Sequence, residues 1–355
     1  MAEFLGLGIT HYPLLAGTDE HMAGLLRWTL TDPDIPDAAK DPASWPALMQ
    51  KEWGDDGGVA AAGHHRAELR DGLARCRAAL DDFGPDLVLV WGDDQYENFR
   101  EEIVPPFCVL AYGDTEVEPF ELMTNRGSPN AWGRPDHMTF TLRGDRDRAR
   151  TFADGLIREG FDVAYSYVKR ESSPFPHAIA NTQLFLDYDH AGTEFPYPIL
   201  PITVNCYGQH AIARRGGLAR FAEIAAEEID PVGPTPARCI DLGAAVVRAL
   251  APLNLRIALV ASSSWSHAFL VDKLWHLRPD TAADERLHTA LSHGDLDTWR
   301  AVTPDEIVDA GQHEMLNWFC LAGAMAELQR PLSWSNLVVT DVFNSNKCFA
   351  IYGES

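Results

Sequence analysis

Leu87-Val88-Leu89-Val90-Trp91 is an unbroken apolar run that gives way at once to Gly92-Asp93-Asp94-Gln95-Tyr96-Glu97-Asn98-Phe99. A short apolar run rich in valine and leucine reads as a strand buried on both faces. Just upstream, Leu69, Leu73, Cys76 and Leu80 recur at the spacing of one helical face, which predicts a helix over 63–83, and Gly84-Pro85 breaks it. Helix, breaker, buried strand and polar strand end together make one α/β unit.

Working outward, the same unit recurs. A buried strand over 3–10 runs into His11-Tyr12-Pro13. Helices are predicted over 146–158, 176–186, 217–228 and 236–250, with 282–328 mostly helical. Strands are predicted over 161–167, 199–205 and 256–262, with closing strands at 337–342 and 348–352. Residues 18–60, rich in Asp, Pro and Trp, lack clean periodicity and read as an irregular excursion with short helices. No internal repeat or low-complexity tract stands out. The expectation is a single large α/β domain over 1–355, with a central, mostly parallel or mixed sheet flanked by helices.

The 355 residues carry 29 Lys plus Arg against 52 Asp plus Glu, a formal charge of −23. That balance argues against nucleic acid or an anionic membrane surface as the main partner, because cationic side chains supply such binding. No apolar run approaches the ~20 residues that span a bilayer. The first ten residues lack the basic segment and cleavage site of a signal peptide. Six cysteines lie singly, with no CxxC pair, and read as buried reduced thiols, which favours a cytoplasmic protein.

Chemistry collects at strand ends. His11, the run Asp93 to Gln95, and His267 in Ser263-Ser264-Trp265-Ser266-His267 each follow a predicted strand. Ligands of open α/β sheets bind outside the carboxyl ends of strands, so these residues suggest one composite site. His177 and Glu314, in Gly311-Gln312-His313-Glu314, are further candidates. Each also has an ordinary structural reading. A lone histidine can simply be hydrogen-bonded, Asp93-Asp94 can cap a turn, and Glu314 can favour a helix start through the macrodipole. Position alone supports a metal or acid/base enzyme and no more.

Taken in order, the segments Gly8-Ile9-Thr10-His11-Tyr12-Pro13, Asp94-Gln95-Tyr96-Glu97-Asn98-Phe99 with Pro105-Pro106-Phe107-Cys108, Phe175-Pro176-His177, Pro201-Ile202-Thr203-Val204-Asn205, Ser266-His267 and His313-Glu314-Met315-Leu316-Asn317-Trp318 span nearly the whole chain. This ordered set resembles the class III extradiol ring-cleavage dioxygenases, the family of the protocatechuate 4,5-dioxygenase β subunit and the carboxyethylcatechol dioxygenases. The resemblance implies a LigB-like fold, with His11 as a metal ligand and Glu314 as the carboxylate ligand. It implies His267 as the acid/base histidine beside a substrate hydroxyl, and His177 as a histidine near the dioxygen pocket. Tyr96 and Trp265 flank the predicted site and are candidates to pack on a substrate ring.

One position departs from the family pattern. Where the family carries a second ligand histidine, this chain has Gln95. A non-haem Fe(II) oxygenase uses two imidazoles and one carboxylate on one face. Gln95 or Asp94 could ligate directly. His64 or His65, at the start of the predicted helix, could supply the missing imidazole. Alternatively the metal site could be degraded. His137, His190 and His210 are spare histidines in predicted loops.

What the resemblance implies is a metal-dependent dioxygenase that opens the ring of a catecholic or aminophenolic substrate with O2. The ion would be Fe(II), with Mn(II) or another divalent metal as substitute, in a homo-oligomer that needs no membrane or nucleic acid. A non-oxidative metal-dependent lyase or hydrolase on the same scaffold stays open, because a Lewis-acid metal tolerates an oxygen donor more readily than O2 activation does. A non-catalytic metal-binding relative stays open as well. The excursion over 18–60 and the loop over 111–135 are expected to shape the pocket.

Overall fold

The computed structural model describes residues 2–125, 127–170, 173–208 and 230–353, without the side chain of Leu122. The helix predicted over 217–228 and the spare His210 lie outside the described residues.

The strands are β1 (Glu3–Ile9), β2 (Leu87–Asp93), β3 (Phe107–Leu110), β4 (Thr115–Val117), β5 (Phe140–Leu142), β6 (Ala164–Ser166), β7 (Ile199–Val204), β8 (Arg256–Ser262), β9 (Leu332–Val338) and β10 (Lys347–Tyr352). Eight of them form one mixed sheet in the order β6-β3-β7-β2-β8-β1-β10-β9, while β4 and β5 pair separately. The centre is parallel: β7, β2, β8 and β1 all run the same way. Antiparallel pairing enters where β3 meets β7 and where β10 joins β1 and β9.

Every residue of β2 is buried, as a central strand covered on both faces requires. Its side chains alternate: Leu87, Leu89 and Trp91 enter one core with Ile257, Leu259 and Ala261 of β8, while Val88 and Val90 enter the other with Ala258 and Val260. The helices Pro236–Leu250 and Leu316–Glu327 belong to the first core. They touch backbone to backbone, because a Cβ on Gly243 would lie 1.8 Å from the Cys320 carbonyl oxygen and one on Gly323 would lie 2.0 Å from that of Ile240. The helices Val59–Phe83 and His177–Leu186 cover the other face.

Several expectations shift in detail. The long helix starts at Val59 rather than 63, and the strand expected over 337–342 is instead Leu332–Val338. The strand expected over 161–167 shortens to Ala164–Ser166. Strand β3 had no counterpart in the sequence reading, since four apolar residues are too few to show a period. The excursion holds the helices Asp19–Thr29, Asp37–Lys40 and Ala47–Trp53. All six cysteines are buried and free. No helix among the described residues is long and apolar enough to cross a membrane.

Candidate metal centre

Parallel strands deliver their carboxyl ends to one edge of the sheet. In this chain β2, β8 and β1 are neighbours in that order, so Asp93, the segment after Ser262 and His11 emerge side by side. Glu314 arrives from the short 3-10 turn His313–Met315 that opens the helix Leu316–Glu327. That turn is tied to the end of β8, since Ser263 Oγ donates to the Glu314 carbonyl at 2.8 Å and Trp318 Nε1 donates to the Ser263 carbonyl at 3.0 Å.

His11 Nε2 lies 3.4 Å from Glu314 Oε2 and 3.6 Å from Asp93 Oδ1. The ring's other nitrogen, Nδ1, donates to the Ser262 carbonyl at 2.7 Å, which fixes the tautomer and turns the Nε2 lone pair toward the carboxylates. Asn181 Nδ2 holds the His11 carbonyl at 3.0 Å. Burial pulls the His11 imidazole down to about 4, against the raising effect of Asp93, so the ring is neutral at ordinary pH. Burial, then the Asp93 charge, push Glu314 well above the usual carboxylate range.

Ligand atoms of His11, Asp93 and Glu314 all lie within 4.8 Å of one another, and all three residues are buried. Both carboxylate oxygens of Asp93, and Oε2 of Glu314, have no hydrogen-bond partner. Buried carboxylates without donors are costly, and a neutral lone pair aimed at them makes the arrangement worse. A divalent cation among these atoms satisfies every one of them, so the donor set fits a metal ion.

The second oxygen of Glu314 is occupied. Tyr207 Oη donates to Oε1 at 2.5 Å and Gln95 Nε2 donates to it at 3.0 Å. His267 Nε2 lies 3.3 Å from the same oxygen, while its Nδ1 donates to the Trp265 carbonyl at 2.8 Å. Burial holds His267 well below its ordinary value, hence neutral. Gly311, at φ 63°, lets the chain press against this histidine: a Cβ there would sit 2.7 Å from the His267 carbonyl oxygen.

His177 is the opposite case. Burial lowers its basicity, but Glu97, bonded to Nδ1 at 2.9 Å and to the backbone nitrogen at 3.0 Å, outweighs it together with Asp93 and Glu314. The result is about 9, an imidazolium at neutral pH, whose Nε2 is buried and unpartnered. Its ring stands edge-on to that of His11 at 5.0 Å.

Glu314, Gln95, His177 and His267 line a cavity of about 290 Å³, together with Tyr96, Leu14, Phe175 and Phe269. Tyr96 holds a left-handed backbone, φ 59°, of the kind that clusters at functional sites.

Of the residues singled out in the sequence, the structure brings together His11, Glu314, Gln95, His177, His267 and Tyr96. It keeps four others apart. The Asp94 carboxylate turns back to accept the backbone N–H groups of Glu97, Asn98 and Phe99. His64 is exposed on its helix, whereas the neighbouring His65 is buried and stacks on Phe343 at 4.9 Å. Trp265 is buried in the core against Trp299 and Trp318 rather than on the cavity.

Three contributors escaped the sequence reading: Asp93 as a donor, Glu97 as partner of His177, and Tyr207 as partner of Glu314. Asp93 carried a usable signal. It continues the alternation of Leu87, Leu89 and Trp91 and so marks the last strand position. Tyr207 carried none.

The family model for the "Catalytic LigB subunit of aromatic ring-opening dioxygenase" matches residues 58–351. Among curated proteins, the chain is 29% identical over 215 residues to a 2,3-dihydroxyphenylpropionate/2,3-dihydroxicinnamic acid 1,2-dioxygenase of Comamonas testosteroni, covering 61% of this chain and 53% of that protein. It is 26% identical over 200 residues to a like-named protein of Pseudomonas putida, covering 56% and 49%. It is 28% identical over 191 residues to one of Rhodococcus jostii (strain RHA1), covering 54% and 46%. The chain thus spans about half the length of the curated relatives it matches.

Proposed function

The chain belongs to the family of catalytic LigB subunits of aromatic ring-opening dioxygenases, and from that membership we propose that it opens the ring of a catecholic or aminophenolic substrate, adding both atoms of O2. The observation that carries this reading is a buried donor trio, His11, Asp93 and Glu314, whose Glu314 lines one cavity with His177 and His267.

His11, Asp93 and Glu314 would hold the metal ion. A bound divalent cation would supply Lewis-acid binding of the diol and a common point of attachment for the diol and O2. Fe(II) is the ion proposed, and Mn(II) is its competitor, since carboxylate oxygens suit Mn(II) and imidazoles suit Fe.

The chain's own groups divide the proton work. His267, neutral and with Nε2 turned to the cavity side of Glu314, takes the proton of a substrate hydroxyl and later returns it. A neutral imidazole offers an unprotonated ring nitrogen for that exchange. His177, held as a cation by Glu97, donates from Nε2 to the oxygen on which negative charge develops. Gln95 and Tyr207 fix Glu314 by binding Oε1 and leave Oε2 for the metal. Leu14, Phe175 and Phe269 give apolar walls that exclude water and accept a flat ring.

The test is protein stripped with chelator and reloaded anaerobically with Fe(II) or Mn(II), then mixed with air-saturated buffer and a panel of catechols and aminophenols. One O2 consumed per substrate, with a yellow ring-opened product, is expected. Turnover that continues without O2, or no O2 uptake across the panel, would overturn the proposal.

A further inference from the structure

Part of the cavity lining is acidic. Glu97, Glu118 and Glu121 line it, and no lysine or arginine does among the described residues. Glu97 is matched by His177. Glu118 meets His137, whose side chain is 83% exposed, at 3.2 Å. Burial, then the charge of Glu118, raise Glu121 above the usual carboxylate range, with Lys169 opposing and Glu97 adding to the shift. Arg100 lies 5.7 Å from the Tyr96 ring centre but does not line the cavity.

This is more than an acidic patch. Nε2 of His177, buried and without a hydrogen-bond partner, belongs to a side chain that lines the same cavity. A molecule bound at His177 therefore occupies the cavity that Glu118 and Glu121 also line. A carboxylate tail placed there meets the like charge of Glu118 and Glu121 with no lysine or arginine among the described residues lining the cavity, whereas an ammonium tail meets two carboxylates. The matched relatives are named for phenylpropionate and cinnamic acid substrates, which carry a carboxylate.

From this geometry we infer that the cavity selects aromatic diols whose ring substituent ends in a protonated amine, and discriminates against those ending in a carboxylate. The diol half of this statement rests on the ring-opening reading, while the charge preference rests on Glu118 and Glu121.

The test is anaerobic calorimetric binding to the metal-loaded protein, run at low and high salt. The ligands are the 3- and 4-isomers of (2-aminoethyl)catechol and the matching (2-carboxyethyl)catechols. The amine should bind at least about tenfold tighter at low salt, and the gap should shrink with added salt. The gap should also shrink in Glu118→Gln/Glu121→Gln, with folding checked by circular dichroism. Equal or tighter binding of the carboxylate, a gap unchanged in the double variant, or no binding of either diol overturns the inference. Oxygen uptake on the same samples separates the two claims. An amine preference without O2 uptake sinks the ring-opening reading alone, and O2 uptake with equal binding of both diols sinks the charge preference alone.

Discussion

His11 and Asp93 face each other across a strand that lies between their own: β8 separates β1 from β2, yet Nε2 of His11 is 3.6 Å from Oδ1 of Asp93. Both side chains lean over the end of β8, where Ser262 accepts the His11 Nδ1 proton. Two members of the donor trio therefore come from strand ends on either side of β8, and the third, Glu314, comes from the turn tied to the end of β8.

Asp93→Asn keeps the shape and removes the charge. It should weaken binding of Mn(II) and Fe(II) by more than the ~10–100-fold typical of losing a group that merely supports a ligand. Asp94→Asn, two of whose backbone donors lie at 3.2 and 3.3 Å, should leave affinity nearly unchanged. Metal titration by calorimetry compares the two. Equal losses would remove Asp93 from the donor set.

Gln95 Nε2 donates to Glu314 Oε1. Gln95→His would place an imidazole beside the trio. Fe(II) should then gain on Mn(II) by about tenfold in competitive binding, since imidazole suits iron. An unchanged ratio would show that this position does not reach the ion.

The two histidines should separate kinetically. His267→Gln is expected to lower kcat by about 10²–10⁴-fold, the range for a lost acid/base group, with metal content intact. His177→Gln removes a cationic donor and should cost about 10²–10³-fold in kcat. Elemental analysis alongside steady-state O2 uptake checks both, and loss of metal in His267→Gln would contradict its assigned role.

Asp284 is a fully buried carboxyl that accepts from Gln312 Nε2 at 2.7 Å, Asn346 Nδ2 at 2.8 Å and the Ser266 backbone nitrogen. Burial dominates and raises it to about 7 from an ordinary 3.8. Between those limits the folded state binds the extra proton, so this group's contribution falls as pH rises from about 4 to about 7. Its slope is at most ~1.4 kcal/mol per pH unit. Denaturant unfolding of wild type and Asp284→Asn across that window should show the difference between them shrinking with this sign. A constant difference would mean that Asp284 titrates normally.

Gly323→Ala drives a methyl group into the Ile240 backbone. Overpacking of this kind costs about 1–3 kcal/mol, read as a lower Tm. Because the helix Leu316–Glu327 follows directly on Glu314, metal affinity should fall with it. A Tm unchanged from wild type would mean that the helices part without cost.

The sheet was legible because β1, β2, β7 and β8 are apolar throughout and end in polar residues, so strand and strand end announce themselves together. The same logic points to His11 and His267, while His177 follows a predicted strand at a distance and Glu314 opens a predicted helix. It could not tell Asp93 from Asp94 and Gln95, because where a strand stops decides which of three consecutive polar side chains points inward, and hydrogen bonding sets that stop. His64 and His65 pose the same problem on a helix, where successive residues point about 100° apart and only packing against Phe343 reveals which is inside. Trp265 shows the limit from the other side: an aromatic residue at a strand end looks like a substrate platform, but Trp299 and Trp318 claim it for the core.

The meeting of three parallel strand ends has a consequence for inheritance. A scaffold that brings several polar side chains to one edge holds donors in reserve, so a glutamine at position 95 need not empty the centre while Asp93 stands at the end of β2. Ligand identity can then drift by point substitution while sheet, helices and cavity persist, and descendants of one fold can come to prefer different metals without rebuilding it.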